Sequence, residues 1–334
     1  MKLSLTLSVL ILTFITGCQQ QPPALTLNIA NQWQTVETKN TPVQRHEATF
    51  LEYKGKFYAV GGRGVRPVSI YDPKTNQWQK GAKPPFQIHH FQAVVYQNKI
   101  VIAGAMTGNY PSETPVENII YYYPDSDHWE IGPAIPKDRL RGGAGVVLQG
   151  DNLYIAAGIQ NGHIDGWVKW LDVYNLKTGQ WQQLPDAPRA RDHYQAAIID
   201  DKIYLAGGRR TSQITKQVFS LVVLPVDVYD IKTQQWSTLP KAQNIPTGRA
   251  GTSSLVVDKH LLVLGGESAK PGKAHNEVEA LDTKTQRWKS LPPMVEGRHG
   301  TGAILYDNAI WTCCGSGNRG GRPELKTTEK LNLN

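Results

Sequence analysis

The chain contains few cysteines and lacks the short motifs that mark many metal and nucleotide sites. Three cysteines occur among 334 residues, and Cys313 and Cys314 are adjacent within a predicted strand. Because neighbouring strand residues face opposite sides of a sheet, we expect these two side chains to point apart and a disulfide between them to be strained. The sequence has no zinc-ligand spacing and no Gly-rich phosphate loop ending in Lys-Ser or Lys-Thr. It therefore predicts neither a metal nor another cofactor.

Sustained helical periodicity is also absent after the N-terminus, whereas the 31 Gly and 21 Pro residues are typical of a chain with many turns. The net charge of +8 favours an anionic ligand. Nucleic acid is not the expected partner, because the basic residues are not interleaved with stacking aromatic residues. These features together predict an all-β protein.

Six tryptophans recur at nearly even intervals of 45 to 55 residues, which indicates one structural unit repeated along the chain. They are Trp33, Trp78, Trp129, Trp181, Trp236 and Trp288. We expect them to pack between the repeats rather than to contact a ligand.

Each repeat also contains a strand pattern that ends at glycine, as in KFYAVGG (56–62) and KIYLAGG (202–208). The second glycine occurs in all six copies, which predicts a positive φ or a close backbone approach there. The invariant positions are Gly62, Gly104, Gly158, Gly208, Gly266 and Gly315. Four short strands per repeat, with Gly-Gly and Trp at these offsets, resemble the kelch motif. This resemblance implies a six-bladed kelch β-propeller over residues 26–334.

The two ends of the chain predict how the ring closes. Residues 327–334 match a third strand with no Trp strand after it, and residues 26–33 supply the missing strand. We therefore expect the N-terminal strand to complete the last blade, which removes an exposed sheet edge.

The first residues predict export. Lys2 precedes an apolar run at 3–15, and Ile15-Thr16-Gly17-Cys18 resembles the lipobox of bacterial lipoproteins. That resemblance implies a signal peptide at 1–17, acylation of Cys18 and a tether at 18–25, with an ordinary cleaved signal peptide as the alternative. The expected location is the bacterial cell envelope, at the outer membrane facing the periplasm or the surface, and the lipid anchor is the only membrane contact that we expect.

Loop lengths predict which face binds ligands. The segment between the second and third strands varies most from copy to copy, and variable loops on a rigid scaffold usually form the binding face. Basic residues cluster at the same face, and a ring of guanidinium groups suits carboxylate or phosphate. The candidate ligand-binding residues are Arg45, His46, His89, Arg141, Arg191, His193, Arg249, Arg298, His299, Arg63 and Arg209. The alternative is structural: arginines at this link can bond carbonyls of the adjacent blade, and the histidines can be packed or solvated.

The sequence leaves two functions open. One is a binding module for an anionic small molecule, a glycan or a protein partner. The other is an isomerase, because GGESAKPGK (265–273) resembles a segment of periplasmic sialate mutarotases. In that family a Glu and an Arg form the proposed catalytic pair. The resemblance assigns the Glu to Glu267, but Ala274 stands where the Arg is expected, and Lys273 is the nearest cation.

Overall fold

The structure, a computed structural model, describes residues 27, 29 and 31–333. A short strand, β1 (Gln34–Thr35), comes first, and the chain then builds sheet after sheet in order. Blade 1 contains β2 (Ala48–Tyr53), β3 (Lys56–Gly61), β4 (Ser69–Asp72) and β5 (Gln77–Lys80). Blade 2 contains β6 (Ala93–Tyr96), β7 (Lys99–Ile102), β10 (Asn118–Tyr123) and β11 (His128–Ala134), with a hairpin of β8 (Met106–Thr107) and β9 (Thr114–Pro115) inserted.

The third and fourth blades follow the same plan. Blade 3 contains β12 (Gly145–Gln149), β13 (Asn152–Ala156), β16 (Leu171–Asn175) and β17 (Trp181–Leu184), with a hairpin of β14 (Ile159–Asn161) and β15 (Asp165–Trp167) inserted. Blade 4 contains β18 (Ala196–Ile199), β19 (Lys202–Leu205), β20 (Asp227–Asp230) and β21 (Gln235–Thr238). Single turns of 3₁₀ helix span Lys137–Arg139 and Lys241–Gln243.

The last two blades complete the ring. Blade 5 contains β22 (Ser253–Val257), β23 (His260–Leu264), β24 (Val278–Asp282) and β25 (Arg287–Leu291). Blade 6 contains β26 (Ala303–Tyr306), β27 (Ala309–Cys313) and β28 (Thr328–Asn332), and β1 pairs with β28 as its outermost strand. The innermost strands of neighbouring blades contact each other around the whole circle, including β26 with β2. The predicted all-β, six-bladed propeller is therefore confirmed.

The closing strand lies slightly later in the chain than residues 26–33. It begins directly after Trp33, with Gln34 opposite Lys330 and Thr35 opposite Glu329. This register is that of blade 1, where Trp78 stands at the start of the fourth strand rather than at its end. The closure was predicted correctly, but the bounds were wrong because the strand follows its tryptophan.

The hydrophobic core is divided among the contacts between blades. The described residues form six clusters of buried side chains, and each cluster joins two neighbouring blades, as with Tyr58 of blade 1 and Ile100 of blade 2. Each repeated tryptophan packs in the cluster that faces the preceding blade, from Trp78 against blade 6 to Trp33 against blade 5. This is the expected organisation of a repeat protein, in which each unit buries its apolar face only against its neighbours.

The invariant glycines adopt the backbone that the repeat predicts. All six have positive φ, from 65° at Gly104 to 113° at Gly158. At Gly266 an added Cβ would lie 2.8 Å from the Ala250 carbonyl oxygen, so a side chain is excluded by contact as well as by φ.

The adjacent cysteines differ from the sequence expectation. Their Sγ atoms lie 3.2 Å apart, and both residues are buried free cysteines. The strand ends at Cys313, and Cys314 takes a φ of 59°, so the alternation of an extended strand does not apply to this pair.

Among the described residues, no helix is long and apolar enough to cross a membrane. The predicted signal peptide, Cys18 and the tether fall outside the described residues. Export and lipid anchoring therefore stay predictions.

Candidate functional site

A ring of backbone hydrogen bonds surrounds the central channel. It runs through one residue of each blade, just before the innermost strand: Glu47, His90, Gly143, His193, Gly251 and Gly300. Each bond joins neighbouring blades, as in His90 N–H to Glu47 C=O at 3.0 Å and Gly143 N–H to His90 C=O at 2.8 Å. The Ala48 N–H closes the circle on the Gly300 C=O at 3.1 Å.

All six ring residues have left-handed backbone conformations, with φ between 53° and 65°. Glycine adopts this region freely, but a residue with a side chain pays a cost of about 1–2 kcal/mol there. Half of the ring nevertheless carries side chains: Glu47, His90 and His193. Such non-glycine residues cluster at functional sites, where the side chain is needed at that place.

The arginines that precede the ring by two residues serve the scaffold. Arg45, Arg141, Arg191, Arg249 and Arg298 are all buried, and none of them lines the large cavity described below. Arg191 bonds the carbonyls of Leu205, Gly207 and Pro225 and pairs with Asp227 at 2.6 Å. All of these partners belong to its own blade, not to the adjacent blade as the structural alternative expected.

The other four arginines repeat this arrangement. Each bonds carbonyls near its own second strand and a polar side chain on its own third strand: Ser69, Asp172, Glu279 and Glu329 for Arg45, Arg141, Arg249 and Arg298, respectively. The ring of guanidinium groups expected at the channel mouth is thus turned into the blades, where four of the five pair with a carboxylate and Arg45 bonds the Ser69 hydroxyl.

A cavity of about 1110 Å³ opens on the variable-loop face. Every one of the six variable loops contributes to its wall, including Arg63, Tyr110, His163 and Phe219. Five arginines line it against three glutamates: Arg63, Arg66, Arg209, Arg319 and Arg322 against Glu47, Glu267 and Glu324. Its lining is therefore net positive.

A chain of buried charges forms part of the cavity wall. Arg209 Nη1 donates to Glu267 Oε1 at 2.6 Å, and His299 Nε2 lies 3.5 Å from Glu267 Oε2. On its other side, His299 Nδ1 lies 3.6 Å from Glu47 Oε1. The Gly320 N–H also donates to Glu267 Oε2 at 2.8 Å, so both carboxylate oxygens of Glu267 are held in place.

These contacts determine the protonation states of Glu267 and His299. Burial disfavours the charged forms, but the positive charges of His299 and Arg209 hold the pKa of Glu267 at about 2. Burial alone would lower the pKa of His299, yet the carboxylates of Glu267 and Glu47 raise it to about 9. At neutral pH Glu267 is therefore ionised and His299 is protonated.

Lys273 lies apart from this group. It is exposed, it bridges to Asn318 through backbone pairing, and it borders a separate depression of about 350 Å³. The cation beside Glu267 is instead Arg209, from blade 4. The sequence singled out Arg209 and Glu267, but 58 positions separate these two residues and no short motif links them.

Three imidazole rings meet beside the charged chain. The possible ligand atoms of His90, His163 and His193 all lie within 4.8 Å of one another, and all three residues are buried. His163 Nε2 and His193 Nε2 are 3.1 Å apart. This trio is the group of described residues best placed to hold a metal ion, and the sequence did not identify it, because the three rings come from three different blades.

The remaining predicted residues lie near the cavity. His46 lines its wall and pairs through Nδ1 with Glu324 Oε1 at 2.8 Å. Arg63 forms an ion pair with buried Glu113. His89 is fully buried behind the wall, with Nε2 3.0 Å from the Gly108 carbonyl oxygen.

Comparisons with known proteins agree with the repeat architecture. A family model described as the KLHDC2/KLHL20/DRC7 Kelch-repeats domain matches residues 91–315. Kelch-like protein terF of Aspergillus terreus is 28% identical over 325 residues, which cover 90% of this chain and 68% of that protein. Alpha-scruin of Limulus polyphemus is 28% identical over 249 residues, which cover 70% of this chain but only 25% of scruin.

A solved structure, that of YjhT, has the same architecture. It matches with a TM-score of 0.71 and 15% sequence identity, covering 87% of this chain and 95% of that chain. At this level of identity the similarity extends to the fold alone.

Proposed function

The chain belongs to the kelch-repeat family, and from this premise we propose that it binds a small anionic ligand, of the class of carboxylated sugars, in the variable-loop cavity. The observation that carries the proposal is the lining: five arginines face three glutamates in a cavity of about 1110 Å³. That volume is enough for a sugar-sized ligand, since such pockets typically measure about 300–1000 Å³.

The individual groups suit such a ligand. Arg322 is exposed at the rim, and Arg319 lies over the Phe219 ring at 5.0 Å from its centroid. Guanidinium groups bind carboxylates through two parallel hydrogen bonds, and Tyr110 and Phe219 offer apolar faces for a sugar ring. Protonated His299 adds positive charge deeper in the cavity.

Calorimetric titration with N-acetylneuraminate, glucuronate and galacturonate tests the proposal, with N-acetylglucosamine and galactose as neutral counterparts. We expect binding of at least one acid and of neither neutral sugar. Arg319→Gln and Arg322→Gln are expected to weaken that binding. Arg210→Gln is the matched control, because Arg210 is exposed beside Arg209 but packs over Trp167 outside the cavity. No binding of any acid would contradict the proposal and leave a protein partner as the occupant of this face.

A second candidate, sugar isomerisation, is favoured by one contact. Glu267 faces the cavity and is paired with Arg209 at 2.6 Å, which supplies the carboxylate and the cation that the resemblance to sialate mutarotases calls for. Glu267 would accept a proton during ring opening, and Arg209 would stabilise the developing negative charge. A pKa of about 2 makes Glu267 a weak base, and for this reason binding ranks first.

Exchange NMR of N-acetylneuraminate anomers tests the isomerase candidate. Faster anomer exchange with the protein, lost in Glu267→Gln and kept in Lys273→Gln, is the expected pattern. Lys273 is the matched control because it lies outside the cavity. Exchange at the uncatalysed rate would reject the enzyme while leaving ligand binding intact.

We also propose export and lipid anchoring through Cys18. The support is the sequence alone: an apolar run followed by Ile-Thr-Gly-Cys. Fractionation of cells that express the full chain tests it, with the protein expected in the membrane fraction and Cys18→Ala expected to release it. Equal recovery of both forms in the soluble fraction would contradict it.

A further inference from the structure

We propose that His90, His163 and His193 form a binding site for one divalent transition-metal ion, such as Zn²⁺, at the inner end of the cavity. Three converging imidazoles are the ligand set of several zinc sites, in which a fourth position stays open. Nitrogen ligands of this kind favour zinc, copper, nickel or cobalt over magnesium and calcium. The inference does not depend on the proposed sugar ligand.

The spacing of the rings fits a metal. Ring centroids are 5.2 Å apart for His90 and His163 and 4.8 Å apart for both pairs that include His193. Nitrogen ligands about 2.0–2.1 Å from a tetrahedral zinc ion lie roughly 3.3 Å from each other. The observed 3.1 Å between His163 Nε2 and His193 Nε2 is close to this separation.

The outer nitrogens of two rings are held by carboxylates. His193 Nδ1 lies 2.5 Å from Asp192 Oδ1, and His163 Nδ1 lies 3.0 Å from Glu113 Oε2. Each carboxylate accepts a hydrogen bond from the Nδ1–H of its imidazole, so in the neutral rings both Nε2 atoms carry lone pairs. This carboxylate–histidine arrangement orients metal-binding imidazoles and raises their basicity.

The third ring is oriented through its neighbour. His89 Nε2 donates to the Gly108 carbonyl oxygen at 3.0 Å, which leaves His89 Nδ1 as an acceptor. His90 Nδ1, 2.6 Å away, therefore donates to it, and His90 Nε2 is left with a lone pair. His90 Nε2 also lies 3.5 Å from Glu47 Oε2, another acceptor.

The Nε2 atoms of His163 and His193 thus face each other as acceptors at 3.1 Å, and a ring nitrogen of His90 lies within 4.8 Å of both ligand atoms. Such an arrangement is repulsive unless a positive ion lies between the rings. The backbone points the same way: His90 and His193 both have φ of 53°, at ring positions where other blades carry glycine. His90 and His163 also line the cavity, so an ion between the rings would be reached from it.

Cobalt titration tests the proposal directly. The full chain, stripped with a chelator, is titrated with Co²⁺ while visible absorption is followed. The zinc content of the protein before stripping is measured separately by mass spectrometry. We expect one ion per chain and the visible bands of tetrahedral Co²⁺. His163→Gln is expected to abolish these bands, and His46→Gln, which lines the cavity outside the trio, is expected to keep them.

Two further variants separate binding from folding. His90→Gly places at the ring the residue that three other blades accept there, so the fold is kept while a ligand is lost. Glu113→Gln removes an orienting carboxylate and is expected to weaken Co²⁺ binding by about 10–100-fold. Absence of bound metal in the wild type, or equal binding by wild type, His163→Gln and His90→Gly, would overturn the proposal and leave a shared proton between the rings.

Discussion

Two halves of the channel ring share one backbone conformation, but only one half carries side chains. Blades 3, 5 and 6 have glycine at this position, whereas blades 1, 2 and 4 have Glu47, His90 and His193. The φ values of the two halves are the same to within 12°. Because the geometry is common to all six blades, the fold does not require a side chain at this position. The three side chains are therefore best explained by what they do at the cavity, which Glu47 and His90 line and which His193 adjoins through His163.

The arginines two residues earlier provide the contrast to this ring. The arginine side chains bond groups within their own blades, whereas the ring residues two positions later face the channel. If the arginines form a structural layer and the ring residues a functional layer, substitutions in the two layers should differ in what they change, from the largest expected effect to the smallest.

Replacing a buried arginine is expected to cost the most. Arg191→Met removes the fully buried cation that pairs with Asp227 and leaves that carboxylate the partly exposed Arg189, and breaking such a buried pair typically costs about 3–5 kcal/mol. Urea unfolding measures the loss, with exposed Arg210→Met as the control. A loss within the roughly 0.5 kcal/mol typical of surface changes would show that the arginine layer is not structural.

Stability is expected to depend on pH through His299. Its folded pKa of about 9 lies above its ordinary value of 6.5, so its contribution is complete below pH 6.5 and lost as the pH rises through 9. The loss is on the order of 3 kcal/mol.

Urea unfolding at several pH values measures this dependence. His299→Gln is expected to flatten the curve between pH 6.5 and 9, and His275→Gln, outside the charged chain, is expected to preserve it. The same slope in wild type and His299→Gln would show that His299 is not charged in the folded protein.

A side chain added to the glycine half is expected to destabilise the ring. At Gly300 a new Cβ would lie 2.7 Å from the Glu47 backbone nitrogen, and φ is 64°. Gly300→Ala should therefore cost about 1–3 kcal/mol by urea unfolding. Gly143→Ala should cost less, because the nearest atom to its Cβ, the His193 nitrogen, is 3.4 Å away. A larger loss of stability in Gly143→Ala than in Gly300→Ala would show that contact of the new Cβ does not determine the loss.

The sequence predicted the architecture because the residues that mark the repeat lie close together within each copy. Tryptophan and glycine recur at fixed offsets, and each reports packing or backbone conformation within its own repeat. Glu267 was also identified, from a short segment around one invariant glycine. The closing strand was placed at 26–33 instead of Gln34–Thr35, because the strand follows its tryptophan rather than ending at it.

The site was harder to predict because it is assembled across blades. The sequence placed the arginines at the channel entrance but did not show that each side chain turns into its own blade, toward residues such as Asp227. Arg209 meets Glu267 only in the folded ring, and His163 meets His193 in the same way. One signal was available: Glu47, His90 and His193 interrupt a position where other copies have glycine.

The central claim is that the ring retains its side chains for function and at a cost to the fold. Urea unfolding of metal-free His90→Gly tests it most directly, because glycine relieves the left-handed strain and removes one of the facing acceptors. The expected result is a gain of about 1 kcal/mol in the free energy of unfolding, together with loss of Co²⁺ binding. A less stable His90→Gly protein would contradict the claim, since His90 would then be part of what holds the propeller together.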